Sequence, residues 1–323
     1  MALALAGAGF ATLVGGCGST TSEAPASDAG PGGGDAASAS DATTKDAAAD
    51  AETTSDAGST AKVGAIFVIH DAYEFVPASA DGGSDASTDD AGPVTKASSR
   101  AGAYFVKREG PAAPTTPKTI GPCVVETFGA SVKPIETALS AGTLTVSGGT
   151  RALTLTPTAT KAYATESSST LGLWTGGSTL TFRAEGADVP AFEASLVAPS
   201  KLTLTEPVPA AGSLALVKAD GLHVAWTGSS SGRVVFYFDA ATSNVAASAT
   251  CSFDAAAGSG DIPAGAFADL PGSQGTFEFY VKNTTTTDAA GVSIVVTASS
   301  LLVAKRPNPA AGEQVTLGVV RFR

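Results

Sequence analysis

Beyond residue 62 the chain alternates apolar and polar positions with a period of two, and almost no segment carries a helical period. Thr- and Val-rich runs recur at short intervals, separated by Gly, Pro, Ser and Asp, which is the pattern of an all-β protein. It predicts fourteen strands, at 63–70, 102–107, 123–128, 142–146, 151–156, 178–183, 201–205, 214–218, 222–227, 233–238, 247–253, 276–282, 292–297 and 314–322. Leu222, Val224 and Trp226 fall on one face of their strand, and His223, Ala225 and Thr227 on the other. Phe277, Phe279 and Val281 oppose Glu278, Tyr280 and Lys282 in the same way. The run Val234-Val235-Phe236-Tyr237-Phe238 has no such alternation and predicts a central strand covered on both sides. The one helix predicted is a turn or two at 264–270, bracketed by Pro263 and Pro271.

Pro207-Val208-Pro209-Ala210-Ala211-Gly212 stiffens the chain and removes backbone donors, so it divides a first β domain, 62–206, from a second, 207–323. A faint internal echo points to two modules. Trp174-Thr175-Gly176 precedes one predicted strand and Trp226-Thr227-Gly228 another, and in both places the glycine is expected to open a hairpin. With the tryptophan of 222–227 and the short alternating strands after it, residues 207–323 resemble bacterial immunoglobulin-like modules. That resemblance implies a sandwich. The Cys-to-Trp-to-Cys order of true immunoglobulin domains is missing, so no functional residue carries over. The expected architecture is therefore two β-sandwich-like modules.

The first 61 residues are of another kind. Residues 1–16 are small or apolar and uncharged, too short to span a membrane, and end at Cys17. The segment Leu13-Val14-Gly15-Gly16-Cys17 resembles the lipobox of bacterial lipoproteins. The resemblance implies a signal peptide over 1–16 and acylation of Cys17 as the first mature residue. Gly18 rather than Asp after the cysteine points to the outer membrane. No Lys or Arg precedes Cys17, a departure from the family's positive n-region that leaves Met1 open to reading as an internal start.

Residues 17–61 are almost entirely Ala, Ser, Thr, Gly and Asp, with no aromatic or branched aliphatic residue. Such a segment buries too little apolar surface to offset the entropy of ordering, and a disordered linker is expected. As a tether its 44 residues after Cys17 reach roughly 35–40 Å. The linker has a net charge of −7, and the acidic loop 79–92, with Asp81, Asp85, Asp89 and Asp90, adds −4. Together these make up the formal charge of −11, so the rest of the chain is neutral. A neutral body argues against nucleic acid as a partner. The loop lacks the D-x-D-x-D-G order of a calcium site and reads as a solvated insertion.

With Cys17 assigned to lipid, Cys123 and Cys251 remain, and in an exported protein they form either a disulfide or two buried thiols. A bridge would tie the two domains together, so that residue 207 would separate chain segments and not independent bodies. Chemistry is sparse. The two histidines, His70 and His223, are far apart and do not make a metal site. His70-Asp71 with Glu74 reads as a polar turn where a strand ends, and His223 as solvent-facing. Gly228-Ser229-Ser230-Ser231-Gly232 matches G-x-S-x-G, but a strand follows where the nucleophile elbow needs a helix, so a hairpin loop is expected.

We therefore assign no catalytic residue, metal or cofactor. A carboxylate pair drawn from Glu126, Glu136, Glu185 and Glu278 stays open, because such pairs meet only in space. The leading expectation is a cell-envelope lipoprotein, anchored in the membrane through Cys17. Its non-catalytic β-sandwich body would bind a surface protein or glycan or serve structurally. The alternative is a carbohydrate-active or otherwise hydrolytic β protein, betrayed by a cleft with two carboxylates about 5–10 Å apart beside aromatics.

Overall fold

A computed structural model describes residues 60–74, 96–109, 117–128, 135–163, 166–168, 172–210, 212–243, 245–304 and 314–323. The leader, Cys17, nearly all of the acidic linker and the acidic loop 79–92 lie outside these residues. The strands, in chain order, are β1 (Ala61–Glu74), β2 (Lys96–Glu109), β3 (Lys118–Ile120), β4 (Cys123–Phe128), β5 (Ile135–Ala138), β6 (Leu144–Ser147) and β7 (Leu153–Leu155). Then come β8 (Glu166–Ser168), β9 (Thr179–Ala184), β10 (Phe192–Val197), β11 (Thr203–Glu206), β12 (Ser213–Leu216), β13 (Leu222–Thr227) and β14 (Arg233–Ala241). The last are β15 (Ala246–Asp254), β16 (Ser259–Ile262), β17 (Gln274–Asp288), β18 (Val292–Leu301), β19 (Val303–Ala304), β20 (Gln314–Val315) and β21 (Leu317–Phe322). Each of the fourteen predicted runs overlaps a strand, and the predicted helix is present as the single turn α1 (Gly265–Ala268).

The strands form three sheets. A 12-stranded sheet runs β3-β4-β15-β14-β17-β18-β1-β2-β5, with β21 also on β17, β12 on β21 and β8 on β2. A four-stranded sheet, β10-β9-β6-β7, and a five-stranded sheet, β16-β13-β11-β19-β20, complete the set. Two hydrophobic cores result. In the first, Leu144, Leu180 and Phe182 of the four-stranded sheet pack with Ile66, Phe105 and Ile294 of the large one. In the second, Leu204, Val224 and Trp226 of the five-stranded sheet pack with Phe236, Phe238 and Phe279. Burying each of these side chains contributes about 1.5–3 kcal/mol before entropy is subtracted.

The large sheet joins both halves of the chain. β1 pairs in parallel with β18, and β4 pairs with β15, so strands before and after residue 207 are hydrogen-bonded neighbours. Residues 58–323 accordingly form one compact unit. Position 207 separates chain segments and not independent bodies, which is what a bridge between the cysteines implied. That bridge is present: Cys123 and Cys251 stand directly opposite each other on β4 and β15, with Cα atoms 3.9 Å apart and both side chains fully buried.

Two cross-strand exchanges hold β1 against β2. Gly64 faces Phe105, and Gly102 faces Phe67. A Cβ on Gly64 would lie 2.3 Å from the Phe105 ring, and one on Gly102 would lie 2.5 Å from the Phe67 ring. Each ring therefore covers the bare backbone of the partner glycine, recovering the contact a strand glycine forfeits.

Candidate functional site

Period two gives each strand of the large sheet two sides, and in β14 and β17 the sides differ in chemistry. Phe236, Phe238, Phe277 and Phe279 point into the second core, all fully buried. Tyr237, Asp239, Glu278, Tyr280 and Lys282 occupy the opposite face and are half-buried. Register places them. Tyr237 stands opposite Glu278, Asp239 opposite Thr276, and Val235 opposite Tyr280. On the other flank of β14, Ser248 of β15 stands opposite Asp239, and Glu126 of β4 stands opposite Ser248. Glu126, Ser248, Asp239 and Thr276 thus make a polar row across four strands, with Tyr237, Glu278 and Tyr280 beside it.

The electrostatics of this face are unusual. Burial, with the nearby Asp239 carboxylate adding to it and Arg100 pulling partly back, brings the Glu278 carboxyl up to about 7. Asp239 accepts a hydrogen bond from the Thr276 hydroxyl, which holds its carboxylate in place. Burial raises Tyr280 and Glu126 and lowers Lys282, in each case by disfavouring the charged form. Ser248 is 2% exposed, and its hydroxyl has no hydrogen-bond partner among the described residues. Diagonal neighbours on adjacent strands such as Asp239 and Glu278 sit about 7–8 Å apart at the backbone. A carboxyl whose proton is held up to about 7 beside a second carboxylate that accepts from Thr276 gives a donor and an acceptor in adjacent places.

Of the four carboxylates singled out in the sequence, Glu126 and Glu278 share this face. Three strand spacings, about 14 Å, separate their strands, too far for a catalytic pair. Glu278's neighbour is Asp239, which the sequence reading passed over. Its signal was its place one step past the apolar run, in phase with Tyr237. Glu136 is paired with Arg108 at the sheet edge, 2.8 Å away, and Glu185 is exposed beyond β9.

The histidines also find distinct places. β1 continues to Glu74, so His70 does not mark a strand end as expected. Its Nδ1 accepts the Trp174 backbone N–H at 3.4 Å, and the two rings touch at a tilt of 44° with centroids 4.7 Å apart. The side chains of Asp71 and Glu74 lie outside the described residues. His223 faces solvent, as expected, and its Nδ1 lies 2.7 Å from Asp261, which raises its pKa.

The segment Gly228 to Gly232 is not a hairpin: β13 belongs to the five-stranded sheet and β14 to the large one, so the loop crosses between sheets. Its serines are tied down, Ser230 Oγ accepting from Ser200 N at 2.9 Å and Ser231 Oγ from Asn283 Nδ2 at 3.0 Å. The Trp-Thr-Gly echo opens no hairpin at Trp226 either. Each tryptophan instead sits in its own core, with its indole N–H donated to a backbone carbonyl, Pro199 for Trp174 and Ala255 for Trp226. A void of about 10 Å³ beside Trp174 has room for at most one water.

Among the described residues no group of three or more His, Cys, Asp or Glu side chains is placed to hold a metal ion, and no helix is long and apolar enough to cross a membrane. No family model matches the chain, and neither a curated protein nor a solved structure does.

Proposed function

We propose that this chain is a lipid-anchored protein of the bacterial cell envelope, held by Cys17 and carrying a non-catalytic β body that binds at the cell surface or serves structurally. The observation that carries the reading is the pairing of a lipobox-like leader with the fully buried Cys123–Cys251 disulfide. Disulfides of this kind persist in exported proteins and are rare in the cytosol. Several acyl chains, each methylene adding about 0.8 kcal/mol, anchor a protein stably where one does not. Gly18 supports the outer membrane as the destination. The test is detergent phase partitioning with palmitate labelling. The wild-type chain takes up label and enters the detergent phase, whereas Cys17→Ala stays unlabelled and leaves it. Equal partitioning of the two would refute the anchor.

A second reading, a hydrolytic body, is favoured by the neighbouring carboxyls of Asp239 and Glu278, of which Glu278 is pushed up to about 7. Release of reducing ends from a polysaccharide, lost in Glu278→Gln, would establish it in place of the non-catalytic body.

A further inference from the structure

We infer that the β3–β4 hairpin is a strap, riveted by the Cys123–Cys251 bridge, that holds the large sheet bent over its own polar face. The state of the bridge then decides whether that face stays covered.

Topology defines the strap. β2 and β5 are neighbours, with Glu109 opposite Ile135, so residues 110–134 make one long loop closed at its base. β3 and β4 lie within this loop, yet β4 pairs with β15 toward the other edge of the sheet. From β4 to β5 the sheet path crosses seven strand spacings, about 34 Å if the sheet were flat. Phe128 and Ile135 are seven residues apart, a reach of about 25 Å at most. The other arm, nine residues from Glu109 to Lys118, reaches about 32 Å and faces the same width. A flat sheet cannot meet either limit, so the sheet bends until its edges approach.

Burial gives the direction of the bend. Both smaller sheets pack on the face that carries Ile66, Ile294 and Phe279. No described sheet lies on the opposite face, yet Ile69, Val235, Ser248, Thr297, Ser299 and Leu301 on it are all buried. The hydroxyls of Tyr104 and Ser248, also on that face, are inaccessible and have no partner among the described residues. Arg100 of β2 acts on Glu278 of β17 from three strands away, as limbs bent toward each other allow.

Little besides the bridge and the ladder with β15 holds the strap. Cys123 and Val125 are its buried side chains, whereas Lys118, Thr119, Val124 and Thr127 are exposed. The ion pair from Lys118 to Asp269 is a surface one and adds little. Forming the bridge passes two electrons and two protons from the thiols to a disulfide oxidant, which leaves as two thiols. On the exported reading above, the chain meets such an oxidant after secretion, and the strap is riveted there.

The test is nitration of the full chain in detergent with tetranitromethane, scored residue by residue by mass spectrometry, with folding checked by circular dichroism. Tyr104 and Tyr280 report the covered face. Tyr163, whose hydroxyl is bonded to Ala141 and Gly142 at the first core, is the control. One variant combines Cys123→Ala with Cys251→Ala and removes the rivet. The other keeps the bridge and slackens both arms with insertions of about eight Gly and Ser residues after Ala113 and after Ser131. In each, Tyr104 and Tyr280 should react about tenfold or more faster than in oxidised wild type, with Tyr163 unchanged. Should the cysteine variant not fold, the insertion variant decides. Unchanged rates at Tyr104 and Tyr280 in a folded variant, or an equal rise at Tyr163, would overturn the strap. Palmitate labelling is scored on the same preparation, so failure of the anchor and failure of the strap are separate results.

Discussion

The two faces of β14 and β17 share a backbone and divide the work of the molecule. Toward the five-stranded sheet, Phe236 packs on Trp226, Phe253 and Phe279 at centroid distances of 6.0, 5.9 and 4.8 Å, a dry aromatic cluster. One residue along in either direction, the side chains turn to the other side, where buried Val235 is joined by Tyr, Asp, Thr, Glu and Lys. The first face is saturated with contacts and leaves nothing for a ligand to do. The second has groups whose ionisation is displaced and a hydroxyl without a partner, so its chemistry is unfinished. Substitutions on the first face should therefore change how stable the protein is, and those on the second how stability and binding depend on conditions.

The largest expected effect tests the first half of that contrast. Phe236→Ala should lower stability by about 3–5 kcal/mol, through lost transfer energy and the cavity left behind. Tyr237→Ala, the adjacent residue on the half-buried face, should cost less than half as much. Denaturant unfolding of the two variants reads the difference directly, and equal losses would break the distinction between faces. Adding Phe279→Ala to Phe236→Ala should give a non-additive loss, because the two rings touch.

Next in size is the covalent link of the same apolar face. Cys123 and Cys251 close a separation of 128 residues between adjacent strands. Replacing both by Ala should cost about 2–5 kcal/mol, chiefly by freeing the unfolded chain. The denaturant midpoint of the double variant, set beside that of wild type with and without reductant, checks this. Reduced wild type should match the variant, and a midpoint unmoved by either change would remove the bridge from the account of stability.

Much of this was legible in the sequence, for a physical reason. Strands 123–128 and 222–227 were read with the bounds they have, because β-branched residues and flanking Gly or Pro agreed in both, and alternation joined them in 222–227. β10 was missed although Phe192, Ala194 and Leu196 alternate with exposed Glu193, Ser195 and Val197. Its Glu, Ala and Ser are weak strand formers, and their propensity masked a correct period. β3 and β5 are short and carry charge, as edge strands do. Sheet membership was not legible at all. Nothing local distinguishes a hairpin from the crossing at Gly228 to Gly232, and the parallel pairing of β1 with β18 joins residues more than two hundred positions apart. The candidate site suffered most from this. Glu278 was named from its residue type, but its neighbour Asp239, and Ser248 on the strand beyond, follow only from register, and its displaced ionisation chiefly from burial.

The smaller effects belong to the polar face and concern pH. Because Glu278 titrates near 7 in the folded protein and at its usual 4.5 when unfolded, the native state holds a proton that the unfolded chain has lost between those values. Stability contributed at this position is therefore full below about pH 4.5, falls as pH rises toward 7, and is level above that. Glu278→Gln, which keeps the hydrogen-bonding shape and cannot ionise, should abolish the slope and be the more stable form at pH 8, by about 3 kcal/mol at most. Thermal melts of both proteins at pH 5 and pH 8 measure it, and parallel pH profiles would show that Glu278 is not the titrating group. Asp239→Asn should act in the same direction with a smaller amplitude. It removes the second cause of the shift and leaves the first, burial, in place, so the Glu278 midpoint should move only part of the way down. If Asp239→Asn instead restored an ordinary glutamate, repulsion and not burial would dominate, and the polar face would be more open to water than its register neighbours imply.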